Sequence, residues 1–186
     1  AQIVFGSNKK PQDQFVYTDL SNMFPGYEYK FGKSTYKGVD VGEGGLVRAK
    51  PGMYRNVALL DVASMHPTSI ELLNLFGPYT KNFSDLKEAR LAIKRNDISF
   101  AKTLLNGKLE KYLTDGSDLK SLSYALKIVI NIVYGLTSAK FDNPFRDPRN
   151  VDNIVAKRGA LFMVDLEEFV ESKGYTVAHI KTDSVK

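Results

Sequence analysis

The central part of the chain carries two helical patterns, and these constrain its fold more than any other feature. In residues 84–106, apolar side chains recur every three or four positions and form one stripe, made of Leu86, Ala89, Ile93, Phe100 and Leu104. A turn at residues 113–118 separates this segment from a second predicted helix over residues 119–135. The candidate capping residues are Ser84 or Asp85 for the first helix and Ser117 or Asp118 for the second. Two helices joined by a short turn predict an antiparallel helical hairpin.

Strand patterns lie on both sides of this hairpin. Residues 56–62 and 175–180 are short apolar runs rich in β-branched side chains, which is typical of strands. Further helices are predicted over residues 69–77 and 152–173, each ending at or just before a glycine. Four glycines in residues 38–47 predict tight turns that lead into a strand. The order strand, helical hairpin, helix, strand predicts an α+β fold in which the two strands meet in one sheet.

Composition and charge exclude several classes of protein. The chain has no cysteine, so it can form neither disulfides nor thiolate metal sites. No apolar run approaches the length of a membrane span and the N-terminus has no signal-like stretch, so we expect no membrane partner. The net charge is +5, and residues 87–111 hold seven basic side chains against three acidic ones. This concentration favours a polyanionic partner, although a solvated helix face has the same composition.

Two aspartates follow the two apolar runs. Asp61 lies near the end of the first run, and Asp183 comes three residues after the second. Two neighbouring carboxylates repel each other unless a cation neutralises them, and Mg²⁺ prefers such oxygen ligands. A pair of these ions about 3.5–4 Å apart would stabilise the attacking and leaving oxygens of a phosphoryl transfer. Either aspartate alone is equally typical of a turn or a helix cap.

The second predicted helix carries a polar and aromatic stripe on an otherwise apolar segment. Its members are three or four positions apart: Tyr124, Lys127, Asn131 and Tyr134. A lysine and an asparagine on an apolar helix are costly to bury without partners. A phosphate for Lys127 and a base or sugar edge for Asn131 and Tyr134 would satisfy them. An exposed polar face is the plain alternative, more so for Lys127 than for the whole set.

Three segments of the sequence resemble the motifs of family B DNA polymerases, in the order of that family. DVASMHPTSI (residues 61–70) resembles motif A, Asp-x-x-Ser-Leu-Tyr-Pro-Ser-Ile. LKIVINIVYG (residues 126–135) resembles motif B, Lys-x-x-x-Asn-x-x-Tyr-Gly, and KTDS (residues 181–184) resembles motif C, Asp-Thr-Asp-Ser. EGGLV (residues 43–47) is similar to the Tyr-x-Gly-Gly stretch that precedes motif A. The resemblance covers roughly residues 38–186.

The resemblance implies a role for each matching residue. Asp61 and Asp183 would be catalytic and hold two Mg²⁺ ions, with Mn²⁺ as a substitute. The incoming dNTP would contact residues of three segments: the backbone around Ser64 and Met65, the sugar-facing His66, the basic pair Arg90 and Lys94, and Lys127 with Asn131. Primer–template DNA would contact Tyr134, Gly135 and Lys181, with Gly135 permitting close packing beside the template. Electrostatics and positioning would do most of the catalysis.

The sequence departs from the family's pattern at several positions, including the usual motif C tyrosine, which is replaced where His179 and Ile180 precede Lys181. His66 replaces the usual sugar-gating tyrosine, so discrimination against ribonucleotides is expected to differ, unless His66 is simply a neutral packing residue. Lys181 replaces the first aspartate of motif C, which is the less essential of the two, and is expected to reach DNA or a phosphate. Gly42 stands where the glycine stretch has its tyrosine. These departures are typical of a divergent branch, such as one carried by a phage.

The resemblance also implies a truncated polymerase. The expected fold is an α+β palm, with an antiparallel sheet and packed helices, plus helical-hairpin fingers and neither thumb nor exonuclease domain. The segments would be a connecting piece (1–50), palm with motif A (51–83), fingers with motif B (84–139) and palm ending at motif C (140–186). Because motif C normally lies in a β-hairpin turn, the returning strand is expected to be absent. Asp183 would then lie on an unsupported edge, and the isolated chain would be weakly active or inactive.

Several functions remain open on the sequence alone. The first is DNA-directed DNA synthesis in the cytoplasm, or in the host-cell cytoplasm for a phage-encoded protein. The second is a nucleic-acid-binding remnant of a polymerase that keeps the basic hairpin but performs no chemistry. A reverse transcriptase or an RNA polymerase also has a palm with paired carboxylates, but reverse transcriptases commonly carry adjacent aspartates in the last motif. A small nucleotidyltransferase or nuclease would not require the stripe that begins at Tyr124. The oligomeric state is not indicated.

Overall fold

The computed structural model describes residues 1–6, 19–42, 44–146 and 153–186. Its seven strands are β1 (Glu28–Lys30), β2 (Lys33–Tyr36), β3 (Val39–Val41), β4 (Val47–Ala49), β5 (Leu60–Asp61), β6 (His179–Lys181) and β7 (Ser184–Val185). The α-helices among the described residues are α1 (Gln2–Phe5), α2 (Leu20–Met23), α3 (Met65–Leu72), α4 (Thr80–Lys94), α5 (Ile98–Thr103), α6 (Leu119–Thr137) and α7 (Ile154–Ser172). Glu43 of the glycine stretch and the predicted helix start at Asp152 lie outside the described residues.

The strands form two antiparallel sheets, and the chain is α+β, as the order of its patterns predicts. One sheet has the order β1-β2-β3 and the other the order β4-β6-β7-β5. The second sheet joins both predicted strands, although they are shorter than predicted, since only Leu60–Asp61 and His179–Lys181 form ladders. Each strand ends where its neighbour in the sheet ends, because strand pairing needs residues on both sides. Strand propensity alone therefore predicts where these strands lie but overestimates their length.

A returning strand follows Asp183, so the expectation that it is absent is wrong. β7 pairs with β6 on one side, where Lys181 faces Ser184, and with β5 on the other, where Asp61 faces Ser184. A two-residue turn is long enough to reverse the chain, and two paired residues then suffice to fill the gap between β6 and β5. Asp183 consequently lies in a hairpin turn inside a four-stranded sheet, rather than on an unsupported edge.

The helices differ from the predictions chiefly at their ends. The single helix predicted over residues 84–106 is divided into α4 and α5, because Asn96 takes a left-handed conformation (φ 60°) and Asp97 caps α5 by accepting from the Phe100 N–H. Ser84 and Asp85 lie inside α4, so neither is its cap. Instead the Asp85 carboxylate accepts a hydrogen bond from the Leu105 N–H (3.1 Å). A side chain that can cap a helix serves equally well to bind a neighbouring turn.

Two other helix starts show how capping works in this chain. α3 begins at Met65, four residues earlier than predicted, and includes Pro67 in its first turn, where the missing N–H costs little. α6 begins as predicted after Asp118, whose carboxylate accepts a hydrogen bond from the Ser121 N–H (3.1 Å). By length and composition alone, α6 is long and apolar enough to cross a membrane, a test that the core helix of a soluble protein also passes. The expectation of no membrane partner stays a prediction.

The described residues fall into two compact units. The helical unit contains residues up to 17 and from 70 to 149, and the sheet unit contains residues 18–69 and 150–186. An aromatic cluster fills the core of the helical unit, with Phe76 packed edge-on against Phe5 and Phe83 at 5.6–5.7 Å between ring centroids. In the sheet unit, Ile180 of β6 is fully buried. The assignment of palm and fingers to these segments stays a prediction.

Candidate functional site

In the sheet unit, Asp61 and Asp183 lie on neighbouring segments, although they are far apart in the sequence. Asp61 ends β5 and faces Ser184 across the antiparallel pair, so Asp183 lies one residue along the chain from the cross-strand partner of Asp61. The Val62 N–H donates a hydrogen bond to the Asp183 carbonyl oxygen at 2.7 Å, which joins the two segments directly. The two predicted carboxylates therefore lie at one end of the sheet.

The turn that carries Asp183 is held from both sides. Thr182 has a φ of 53°, which is unusual for a β-branched residue, and its N–H donates to the Leu46 carbonyl oxygen at 2.9 Å. A Cβ at Gly45 would lie 3.0 Å from the Thr182 side chain, so only glycine allows this close approach. The Val62 hydrogen bond holds the other side. A strained turn persists only when its surroundings determine it in this way.

Both carboxylates are exposed, and neither pairs with a lysine or arginine among the described residues. No third aspartate, glutamate or histidine joins them to complete a protein-only metal site in the described part of the chain. Magnesium is commonly held by one or two carboxylates together with water and substrate phosphates. The two aspartates fit that kind of ion, which would share its coordination with a phosphorylated substrate.

The start of α3 forms one wall beside this pair. Ser64 takes a left-handed conformation (φ 54°), and its carbonyl oxygen accepts the Thr68 N–H at 2.9 Å. Met65 is 4% exposed, and its sulfur would lie 2.8 Å from a Cβ at Gly159, so this side chain packs against α7 and is unable to reach a ligand. Only the backbone of Met65 remains available for the predicted nucleotide contact.

His66 lies close enough to Asp183 to interact with it electrostatically. Burial lowers the pKa of His66, and the Asp183 carboxylate opposes this effect. The imidazole is thus favoured in its neutral form near neutral pH. Lys181, the other departure from the family pattern, is exposed on β6 between Val47 of β4 and Ser184 of β7. His66 and Lys181 both lie near Asp183 in the fold, and their contacts with nucleotide and DNA stay predictions.

In the helical unit, α4 and α6 enclose a cleft that we call the cationic cleft. Its volume is about 440 Å³ and its lining residues are Arg90, Ile93, Lys94, Leu119, Lys120, Ser123, Tyr124 and Lys127. The C-terminal half of α4 meets the N-terminal half of α6 here, as in the predicted antiparallel hairpin. The three basic residues predicted to bind a triphosphate therefore line one cavity. No acidic side chain is among its lining residues.

Not all of the predicted basic face is available. Lys87 is largely buried and forms an ion pair with Glu71 and a longer one, at 3.5 Å, with Glu88. Its charge is compensated, so it does not belong with the cationic cleft. Arg90 differs, because its Nε is buried and has no hydrogen-bond partner among the described residues. Lys87 is therefore paired with carboxylates, whereas Arg90 and the lysines of the cationic cleft form no ion pair with the described residues.

The remaining residues of motif B lie further along α6. Asn131 is exposed, Tyr134 is half-buried, and neither lines the cationic cleft. A Cβ at Gly135 would meet no atom within 4 Å among the described residues. That open space leaves its predicted role beside a template untested.

Sequence reasoning missed two contributors to these sites. Lys120 lines the cationic cleft, and its position seven residues before Lys127 places both on one face of α6. The spacing was visible in the sequence, but Lys120 precedes the motif and follows a predicted cap. The second is the contact of Gly45 with Thr182, which depends on two strands meeting and has no local signal.

Comparison with known proteins adds no relative. No family model matches the chain, and no curated protein or solved structure is significantly similar to it. The functional interpretation therefore depends on the motif residues and on the geometry described above.

Proposed function

We propose that this chain is the palm and fingers of a template-directed DNA polymerase that transfers nucleotides from dNTPs to a primer 3′-hydroxyl. The observation that carries the proposal is the convergence of Asp61 and Asp183 on neighbouring segments of one sheet. Two exposed, uncompensated carboxylates are what a magnesium-dependent phosphoryl transfer requires. The motif order and the cationic cleft support the same function independently of the carboxylates.

In the proposed reaction, the primer 3′-oxygen forms a bond to the α-phosphorus of the dNTP. The bond from that phosphorus to the oxygen bridging to the β-phosphate breaks, pyrophosphate leaves with the electron pair, and the hydroxyl proton passes to solvent. Bound Mg²⁺ would lower the pKa of the 3′-hydroxyl and neutralise charge on the phosphates. Asp61 and Asp183 would hold the ions, with their positions fixed by the β5–β7 pairing and the Gly45 contact.

The cationic cleft would bind the triphosphate. Arg90 and Lys94 of α4 and Lys127 of α6 supply three positive charges that form no ion pair within the described part of the chain. Charge-assisted hydrogen bonds to phosphate oxygens are stronger than neutral ones, and such cations compensate the charge that moves onto the leaving pyrophosphate. Neutral His66, next to Asp183, would lie near the sugar of the nucleotide.

Primer extension by the whole chain tests this proposal directly. With a labelled primer–template, Mg²⁺ and dNTPs, we expect weak extension, because the chain resembles a polymerase without a thumb. This extension is expected to fall by about 100-fold or more in Asp183→Asn, because a carboxylate that holds the metal is lost. Asp40→Asn is the matched control, since Asp40 is an exposed carboxylate on β3 outside the site. Running rNTPs in parallel measures sugar selectivity, and His66→Tyr is expected to raise the dNTP-to-rNTP ratio.

A second candidate is a nucleic-acid-binding protein without catalysis. The observation in its favour is the cationic cleft, which needs no carboxylate or metal to attract a polyanion. No extension by the unsubstituted chain, with primer–template binding retained, would contradict the catalytic proposal and favour this candidate.

A further inference from the structure

The cationic cleft contains one more positive charge than the motif resemblance accounts for. Lys120 is exposed and lines the same cavity as Arg90, Lys94 and Lys127. On α6, Lys120, Tyr124 and Lys127 follow each other at spacings of four and three, which places them on one face. At 1.5 Å per residue, Lys120 lies about 10 Å from Lys127 along the helix axis. The row of cations therefore continues past the last predicted phosphate ligand.

The charge of Lys120 is only partly compensated within the described residues, through its electrostatic interaction with Asp118. It forms no ion pair with them within 4 Å, and the cleft has no acidic lining residue. Asp118, the nearest acidic candidate, is engaged as the cap of α6. Its two carboxylate oxygens accept hydrogen bonds from the Ser121 N–H (3.1 Å) and the Ser121 hydroxyl (2.6 Å). Lys120 thus remains available to an anion from solution.

A hydroxyl donor accompanies this charge. Ser123 lies one turn from Lys120 and also lines the cleft, so an ammonium and a hydroxyl face the same space. Arg90 also lines the cleft, and its buried Nε has no hydrogen-bond partner among the described residues. Phosphate groups present several acceptor oxygens each, and a row of donors of this kind suits a chain of linked phosphates better than a single carboxylate.

We propose that Lys120 and Ser123 form a further phosphate subsite of the cationic cleft, which binds one phosphate group of the incoming triphosphate and of the released pyrophosphate. This inference rests on the proposed polymerase function. Lys127, Lys94 and Arg90 hold the other phosphate groups. Loss of Lys120 weakens pyrophosphate affinity and the binding of dNTP without removing the groups that act at the α-phosphate.

The first experiment measures binding of inorganic pyrophosphate to the whole chain by isothermal titration calorimetry. A chelator is included, because without divalent ions the Asp61 and Asp183 carboxylates repel pyrophosphate and only the cleft attracts it. Lys120→Gln is expected to weaken binding about five- to tenfold, as loss of one charged hydrogen bond at an exposed site does. Lys108→Gln is the matched control, an exposed lysine of the helical unit outside the cleft, and Lys127→Gln is the positive control.

Three results would overturn the inference. These are pyrophosphate binding by Lys120→Gln equal to that of the unsubstituted chain, an equal loss in Lys108→Gln, and no pyrophosphate binding by the unsubstituted chain. Orthophosphate is titrated in parallel, and we expect weaker binding that depends less on Lys120. Circular dichroism of each variant verifies that α6 is intact.

Extension kinetics separate failure of this inference from failure of the proposed function. In an active enzyme, Lys120→Gln is expected to raise the KM for dNTP and the inhibition constant of pyrophosphate by a similar factor, with kcat kept within about twofold. Active enzyme with an unchanged inhibition constant would overturn the subsite and leave the polymerase proposal intact. Lys120-dependent pyrophosphate binding without extension would contradict the polymerase proposal and leave a polyphosphate site.

Discussion

Gly45 illustrates how one residue fixes the position of a catalytic candidate. Its φ of +96° is a conformation that L side chains rarely adopt, and a Cβ would meet the Thr182 side chain at 3.0 Å. Thr182 in turn precedes Asp183 and donates its N–H to the Leu46 carbonyl oxygen. The glycine therefore allows the loop before β4 to clamp the turn between β6 and β7.

Gly45→Ala is expected to destabilise the fold by about 1–3 kcal/mol, because it combines an unfavourable φ with a steric contact. Primer extension should fall more than stability predicts, since the Asp183 turn moves. Gly44→Ala is the control, as Gly44 has neither a positive φ nor an atom within 4 Å of an added Cβ. Urea unfolding measures the free energy, and equal stability of the two variants would contradict the role of the close contact.

Among the elements, α6 has three faces in different environments. Leu126, Ile130, Val133 and Thr137 are buried, at spacings of four, three and four. A second face lines the cationic cleft, and a third exposes Ile128 and Ile132. The helix is apolar nearly throughout, so composition alone makes it resemble a membrane span. Within the helical unit, one face of α6 is buried and a second lines the cleft that it forms with α4.

Gly135→Ala separates stability from binding on this helix. Alanine is expected to stabilise α6 by about 0.5–1 kcal/mol, because an added Cβ meets no atom and helix propensity improves. If the template packs there as the resemblance implies, primer–template binding should weaken about tenfold. Fluorescence anisotropy measures the affinity and thermal unfolding the stability. A variant that is more stable and binds DNA unchanged would contradict the template contact.

At the scale of the whole molecule, compensation of charge matters more than its total. The net charge is +5, but several lysines are already neutralised. Lys37 donates hydrogen bonds to Glu168 and Asp165, and these carboxylates raise its pKa. Lys181 and the lysines of the cationic cleft have no such partners within the described residues. These cations, rather than the overall excess, are expected to attract nucleic acid.

Salt dependence of DNA binding tests this distinction. Lys181→Gln is expected to reduce the slope of log affinity against log salt by about 1, as loss of one phosphate contact does. Lys37→Gln, which removes the same formal charge, should leave the slope unchanged because its ammonium is already compensated. The measurement is a titration of one primer–template between about 50 and 200 mM salt. Equal slopes for the two variants would show that only net charge matters.

The sequence by itself determined the α+β class, the position and cap of α6, and the row of cations on α4 and α6. These properties follow from periodicity and capping within one segment, so short-range interactions decide them. It overestimated β5 and β6, merged α4 with α5 and missed β7, because strand pairing and helix ends depend on which distant residues are available as partners. Only the tertiary structure brought Asp61 to Asp183 and Gly45 to Thr182. Those contacts join residues far apart in the chain, and no local pattern encodes the distance between them.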